Sequence, residues 1–335
     1  MVLILVGLIE FKNGPFIRPH PAFWRAVLAI GVAYQMILVM ILFQTKVQAR
    51  YLFTFYDSSL GVRLPEKSYA ADCSLTIANI SEGIDIFVLA HVLGWVAKSL
   101  ILRDYWICWV ISILFELLEY SLEHQLPNFA ECWWDHWILD VFTANFIGIF
   151  VGMKLCDYFA FKTYSWRQID DIPTYRGKLA RMTKQFTPHS YTPFDWQPTK
   201  SLKGFFAIVT IVALELLCEV NAFYLKYLLW IPVESNINVY RLILMFLMAL
   251  PATREAYQFV NDPKCNRLGM HAWTFTMTVI TELLIVIKFS DGEFNSPFPA
   301  YIIGFWTTFI TLISLYAIVK FAILPRKWRS KMYLY

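Results

Sequence analysis

Charge is what this sequence has least of. Only 16% of its 335 residues are Asp, Glu, Lys or Arg, while 58% are hydrophobic and 18% aromatic. A water-soluble domain of this size has too little interior to hide that apolar surface, so the composition excludes that class and points to a membrane protein. A net charge of +4, with no basic-aromatic patch, gives no footing for nucleic acid. Cysteine is sparse, and its six positions form no CxxC or Cys/His pattern of a zinc or redox site. No cleavable signal peptide is evident. Met1 to Ile9 is apolar but too short to span a bilayer, and reads as the end of a membrane helix that begins outside this chain. Internal repeats and low-complexity stretches are not apparent.

What is present is a series of long apolar runs. Hydropathy places spans near 22–43, 83–102, 105–122, 133–161, 204–230, 237–259, 270–289 and 298–323. The expected fold is therefore all-α: one polytopic bundle of about eight membrane helices over residues 1–335, plus the N-terminal stub. The second span is the weakest, because Asp85, His91 and Lys98 punctuate it. Lys12, Arg18, the basic loop 162–203, Lys264, Arg267 and the Lys/Arg-rich tail fall on one side of the membrane. The opposite loops, 44–82, 123–132, 231–236 and 290–297, are poorer in basic residues. The positive-inside rule puts the first set, and with it the C-terminus, in the cytosol. Asn79-Ile80-Ser81, the only N-x-S/T sequon, lies in the opposite set, which makes Asn79 a candidate glycosylation site. Cys73 and Cys132 share that non-cytosolic side. A disulfide there would pin loop 44–82, although two free thiols fit the sequence as well.

No Lys or Arg occurs between Arg103 and Lys154, where Glu116, Glu119, Glu123, Glu131, Asp135 and Asp140 all lie. Carboxylates in or near hydrocarbon are costly, and six without a basic neighbour in sequence need either protons or a cation. Glu116, Glu119 and Glu123 fall at i, i+3, i+7, on one face of a helix, and Asn128, Glu131 and Asp135 repeat that spacing. Asn145 follows one to two turns deeper, ahead of Gly148 and Gly152, which permit close helix approach. Hard oxygen donors without a Cys/His set favour calcium, magnesium or manganese, and several carboxylates with two amides suit calcium best. Glu123 is equally readable as a solvated loop residue.

His91 lies near the middle of the preceding span. A lone intramembrane histidine is commonly a packing residue, yet it is also the natural proton acceptor for an alcohol near neutral pH. A divalent cation beside such a base is the minimum apparatus for exchanging one alcohol for another at phosphorus. On the cytosolic side, Arg18, His20, Arg181, Gln185 and Arg254 flank different spans. They read either as ordinary positive-inside charge or as forked donors for phosphate or carboxylate.

The run LPNFAECWWDHWILD resembles the signature of the eukaryotic base-exchange phosphatidylserine synthases. The resemblance extends through FIRPHPAFWR, AHVLGWVAKSLILRD and QFTP, and covers essentially the whole chain. YSLEHQLPNF, IPTYRGK, AFYLKYLLW and TELLIVIK resemble the second, ethanolamine-exchanging type more closely than the choline-exchanging type. The resemblance implies an endoplasmic-reticulum enzyme in which L-serine replaces the head group of an existing phospholipid, with calcium required. It implies His91 as the base, Glu116, Glu119, Asn128, Glu131, Asp135, Asp140 and Asn145 as the acidic-amide set, and Arg18, His20, Arg181, Gln185 and Arg254 as positions tied to product feedback.

The expected reaction converts phosphatidylethanolamine and L-serine into phosphatidylserine and ethanolamine. The expected partners are these substrates and membrane lipids, not nucleic acid, with a homodimer left open. One rival chemistry draws on a CDP-activated lipid, but the DGxxAR…GxxxDxxxD pattern of those enzymes is absent, as is the HxKxxxxD motif of phospholipase D-like exchangers. A rival of another class is an ion or proton transporter with a carboxylate-lined pathway.

Overall fold

A computed structural model of the chain describes residues 2–11, 21–63, 70, 72–83, 86–160, 170–183, 193–294 and 297–323. Those residues form an all-α bundle. Its helices are α1 (Val2–Glu10), α2 (Pro21–Leu42), α3 (Lys46–Thr54), α4 (Ile77–Gly83), α5 (Ile86–Leu102), α6 (Tyr105–Leu122), α7 (Phe146–Ala160), α8 (Tyr175–Thr183), α9 (Leu202–Leu229), α10 (Asn236–Asn261), α11 (Met270–Ser290) and α12 (Ala300–Ile318). A π-helical segment, Asp135–Asn145, runs directly into α7, and a second, Val319–Ile323, extends α12.

Seven of these helical stretches are long and apolar enough to cross a membrane: Ala22–Leu42, α6, Asp135–Ala160, α9, α10, α11 and Ala300–Ile323. The eighth expected span is α5, a 17-residue helix whose rise of about 1.5 Å per residue makes it shorter than the others. Its shortness matters, because His91 then sits little more than a turn inside the helix start.

Capping explains several boundaries. Asp104 accepts from the Ile107 backbone N–H at 2.9 Å and starts α6, and Ser201 accepts from Gly204 at 3.0 Å to start α9. The start of α11 is capped from another helix: buried Glu255 of α10 accepts from the Ala272 N–H at 2.9 Å. Gly269 leaves room for that carboxylate, since a Cβ there would lie 2.1 Å from the Glu255 carboxyl carbon where it now sits.

The core has two main clusters. One gathers Trp95, Cys108, Ile111, Phe115 and Ile149 with residues of α9, α10 and α11; the other joins α2 and α3 to Leu122, Phe129, Leu228 and Phe289. Within this interior Glu282 meets the Arg241 guanidinium at 2.9 Å and accepts from the Tyr34 hydroxyl at 2.7 Å. That buried charge is paired and hydrogen-bonded, the condition under which an ion pair survives in apolar surroundings.

Cys73 and Cys132 are joined by a disulfide. The bridge packs with Ile80, Trp134 and Leu139, so the segment around α4 is fastened over the beginning of the π-helical stretch. Asn79 lies in this segment, and its amide nitrogen donates to the Ser74 carbonyl at 2.9 Å.

Candidate active site

Close packing of α5 on α7 builds the site. A Cβ on Gly148 would lie 2.6 Å from both Trp95 Cβ and the Val92 carbonyl oxygen, and one on Gly152 would lie 2.5 Å from Ser99 Cβ. Only glycine lets these backbones approach so closely. The approach carries the π-helical segment alongside the first half of α5. There His91 Nδ1 lies 3.1 Å from Asp140 Oδ1. Asp140 is buried, whereas the His91 side chain keeps 34% of its surface open.

The π-helix sets which residues share that face. His136, Asp140 and Asn145 are separated by four and then five residues, and all three are buried. At about 100° per residue, an α-helix would turn Asn145 to the side opposite His136. The wider i→i+5 turn keeps the three in one row. Asn145 donates to the Ser112 hydroxyl of α6 at 2.9 Å, and its buried Oδ1 has no hydrogen-bond partner.

His136 sits at the centre. Fully buried, it places Nδ1 at 2.8 Å from Glu116 Oε2, 3.4 Å from Glu119 Oε2 and 4.0 Å from Glu131 Oε2. Two groups of ligand atoms close to within 4.8 Å among the described residues: Glu116, His136 and Asp140, and Glu119, Glu131 and His136. Tyr120 covers the imidazole, with ring centroids 4.3 Å apart. Burial pushes the Glu131 carboxyl up to about 9. The negative charges of Glu119, Asp140 and Asp135 add to the shift, against an opposing pull from His136. Such a cluster has more carboxylates than His136 and His91 can neutralise, and a divalent cation would relieve it.

Glu116, Glu119, Glu131 and Asp140 therefore converge, with Asn145 on the same face as Asp140. The second helical face expected for Asn128, Glu131 and Asp135 does not form. Pro127 opens a short 3₁₀ turn, Pro127–Phe129, and Glu131 follows it outside any helix. Proline lacks the N–H needed to continue α6, which ends at Leu122 with Glu123 as its cap. Asn128 is half-buried on that turn, and Asp135 opens the π-helical segment outside both ligand groups. His136 is the residue that sequence reasoning missed. Its spacing of four from Asp140 is an α-helical one, but its spacing of nine from Asn145 is not, so only the π geometry puts all three in one row.

Arg181 is buried in α8. Arg254 lines a cavity of about 260 Å³ with Phe194, Tyr257, Gln258, Asn261 and Asp262. Arg18, His20 and Gln185 lie outside the described residues.

A family model described as Phosphatidyl serine synthase matches residues 19–290. A Danio rerio protein named Phosphatidylserine synthase 2 is 42% identical over 96% of this chain and 74% of its own length. The Homo sapiens protein of the same name is 43% identical over 96% of this chain and 68% of its own. An Arabidopsis thaliana protein named CDP-diacylglycerol--serine O-phosphatidyltransferase 1 is 39% identical over 91% of this chain and 74% of its own.

Proposed function

The chain belongs to the phosphatidyl serine synthase family, and from that premise we propose that it makes phosphatidylserine by calcium-dependent base exchange. L-serine replaces the ethanolamine of phosphatidylethanolamine, at a centre that opens to the lumen of the endoplasmic reticulum. The observation that carries this reading is the His91–Asp140 pair set beside the carboxylates gathered around His136.

The chain's own residues supply the proton chemistry. Asp140 accepts from His91 Nδ1–H, which fixes the tautomer and leaves Nε2 as the basic nitrogen. Nε2 takes the proton of the serine hydroxyl as it attacks phosphorus, and returns it to the departing ethanolamine oxygen. Buried Asp140 stabilises the imidazolium between those transfers. The donor set fits a calcium ion: Glu116, Glu119, Glu131 and Asp140 give carboxylate oxygens, and the unpartnered Asn145 Oδ1 gives an amide oxygen. When bound, calcium compensates the charge of the phosphodiester oxygens. His136, its Nδ1 turned onto Glu116, serves as the resident counter-cation. The scarcity of basic residues in the loops on this side supports the lumenal orientation and a cytosolic C-terminus.

Arg18, His20, Arg181, Gln185 and Arg254 form, on this reading, a cytosolic site where phosphatidylserine restrains the enzyme. A head group carrying both phosphate and carboxylate suits guanidinium forks.

The Arabidopsis relative's name supplies a second reading, in which the phosphatidyl donor is CDP-diacylglycerol. The absence of a DGxxAR…GxxxDxxxD pattern speaks for exchange instead. Purified protein given phosphatidylethanolamine and labelled serine tests the calcium-dependent reaction. Labelled phosphatidylserine should form with calcium and cease in excess chelator. Undiminished synthesis in chelator overturns the metal assignment.

A further inference from the structure

A second polar cluster lies deeper along the same face of α5. His91, Trp95 and Lys98 fall at i, i+4 and i+7, so they line one side of the helix. Side chains on a helix lean toward its N-terminus, and the Lys98 ammonium accordingly lies 3.8 Å over the Trp95 ring. Trp95 is four residues beyond His91, roughly 6 Å along the axis. The same ammonium is 5.6 Å from the ring of Phe115, the residue before Glu116. Lys98 thus lies on the His91 face of α5, against the rings of Trp95 and Phe115.

Lys98 pairs with Glu219 of α9, but the pair is not closed. Glu219 Oε2 is buried without a hydrogen-bond partner. Glu215, one turn earlier on α9, is 7% exposed, and its carboxylate makes no hydrogen bond or ion pair among the described residues. One ammonium thus pairs with Glu219, with Glu215 one turn away on α9 and the rings of Trp95 and Phe115 alongside. A purely structural ion pair in such surroundings is normally completed by further donors. Here one acceptor oxygen and one whole carboxylate lack them, which leaves room for a second positive group.

We propose that Lys98, Glu219 and Glu215 form the subsite for the zwitterionic end of the incoming amino acid. Lys98 receives the α-carboxylate, and Glu219 with Glu215 receives the α-ammonium. The hydroxyl then extends along the same face of α5 toward His91, four residues before the Trp95 ring over which the Lys98 ammonium is drawn back. The proposal rests on the base-exchange reading and deepens it, because it says how the enzyme distinguishes serine from ethanolamine. The two share an amino group and a hydroxyl, and only serine carries the carboxylate that Lys98 would read.

The test compares L-serine with serinamide, which keeps the hydroxyl and amine but lacks the carboxylate, using phosphatidylethanolamine as donor. Wild-type protein should prefer serine by at least about tenfold in kcat/KM, the scale of one charge-assisted hydrogen bond. Lys98→Met should abolish that preference, chiefly through a higher KM for serine. Lys98→Met combined with Glu219→Gln keeps the charge balance should the single variant fail to fold, and should abolish the preference likewise. A variant that retains the wild-type ratio overturns the proposal. So does wild-type protein that uses serinamide as well as serine, a result that needs no variant. If wild-type protein transfers neither acceptor from phosphatidylethanolamine, the base-exchange reading fails and this proposal falls with it.

Discussion

His91 Nδ1 and Asp140 Oδ1 face each other at 3.1 Å, although 49 residues separate them in the chain. The pair has the arrangement that orients an imidazole for proton transfer, with the acid buried and the ring partly open. His91→Gln should keep the bundle folded, since the side chain is partly exposed, while lowering the exchange rate by roughly 10²–10⁴. Serine incorporation per mole of monodisperse protein measures this. A rate within threefold of wild type removes His91 from the chemistry.

His136 holds Glu116 and Glu119 together from a position with no exposed surface. Replacing it by Ala leaves those carboxylates facing one another without their resident counter-charge. Removing one partner of a buried ion pair costs about 3–5 kcal/mol. The thermal midpoint of His136→Ala in chelator should fall accordingly, and calcium should raise it by more than it raises the wild type. Thermal unfolding with and without calcium checks both. Equal shifts for the two proteins would mean that His136 and the ion do not answer the same charge.

Gly148 is where α7 touches α5, and the 2.6 Å clearances leave no space for a methyl group. Gly148→Ala should cost about 1–3 kcal/mol by overpacking. It should also slow exchange by widening the gap between His91 and Asp140. Unfolding and rate are measured on the same preparation. A fully active, fully stable alanine variant would show that the close approach is dispensable.

The spans were legible in the sequence because hydropathy is a local property, and the eight helical stretches lie where the apolar runs lie. Glu116 and Glu119 were legible as a pair for the same reason, their spacing being that of α6. The rest depended on contacts between elements. The π-helical turn that aligns His136 with Asn145 breaks the spacing rule by which a face is read. Asn128, Glu131 and Asp135 follow that rule but occupy a 3₁₀ turn, an irregular connection and a helix start. The partners of Glu219 and Glu282, Lys98 and Arg241, come from other helices, and sequence spacing carries no record of them.

Arg181 is buried in α8. Arg181→Lys keeps the charge but loses the planar fork, so it separates recognition from topology-setting charge. The expected outcome is weaker inhibition by added phosphatidylserine, read as a rightward shift of the inhibition curve by several-fold. Unchanged inhibition with a reduced uninhibited rate would assign Arg181 to folding or catalysis instead.

The central claim is head-group exchange, and its most direct measurement is the stoichiometry of ethanolamine release. Purified protein receives L-serine and calcium with either phosphatidylethanolamine or CDP-diacylglycerol as the sole donor. The expected result is one ethanolamine released for each phosphatidylserine formed from the first donor, and no product from the second. Phosphatidylserine made from CDP-diacylglycerol alone, with no ethanolamine released in the other arm, would contradict the account.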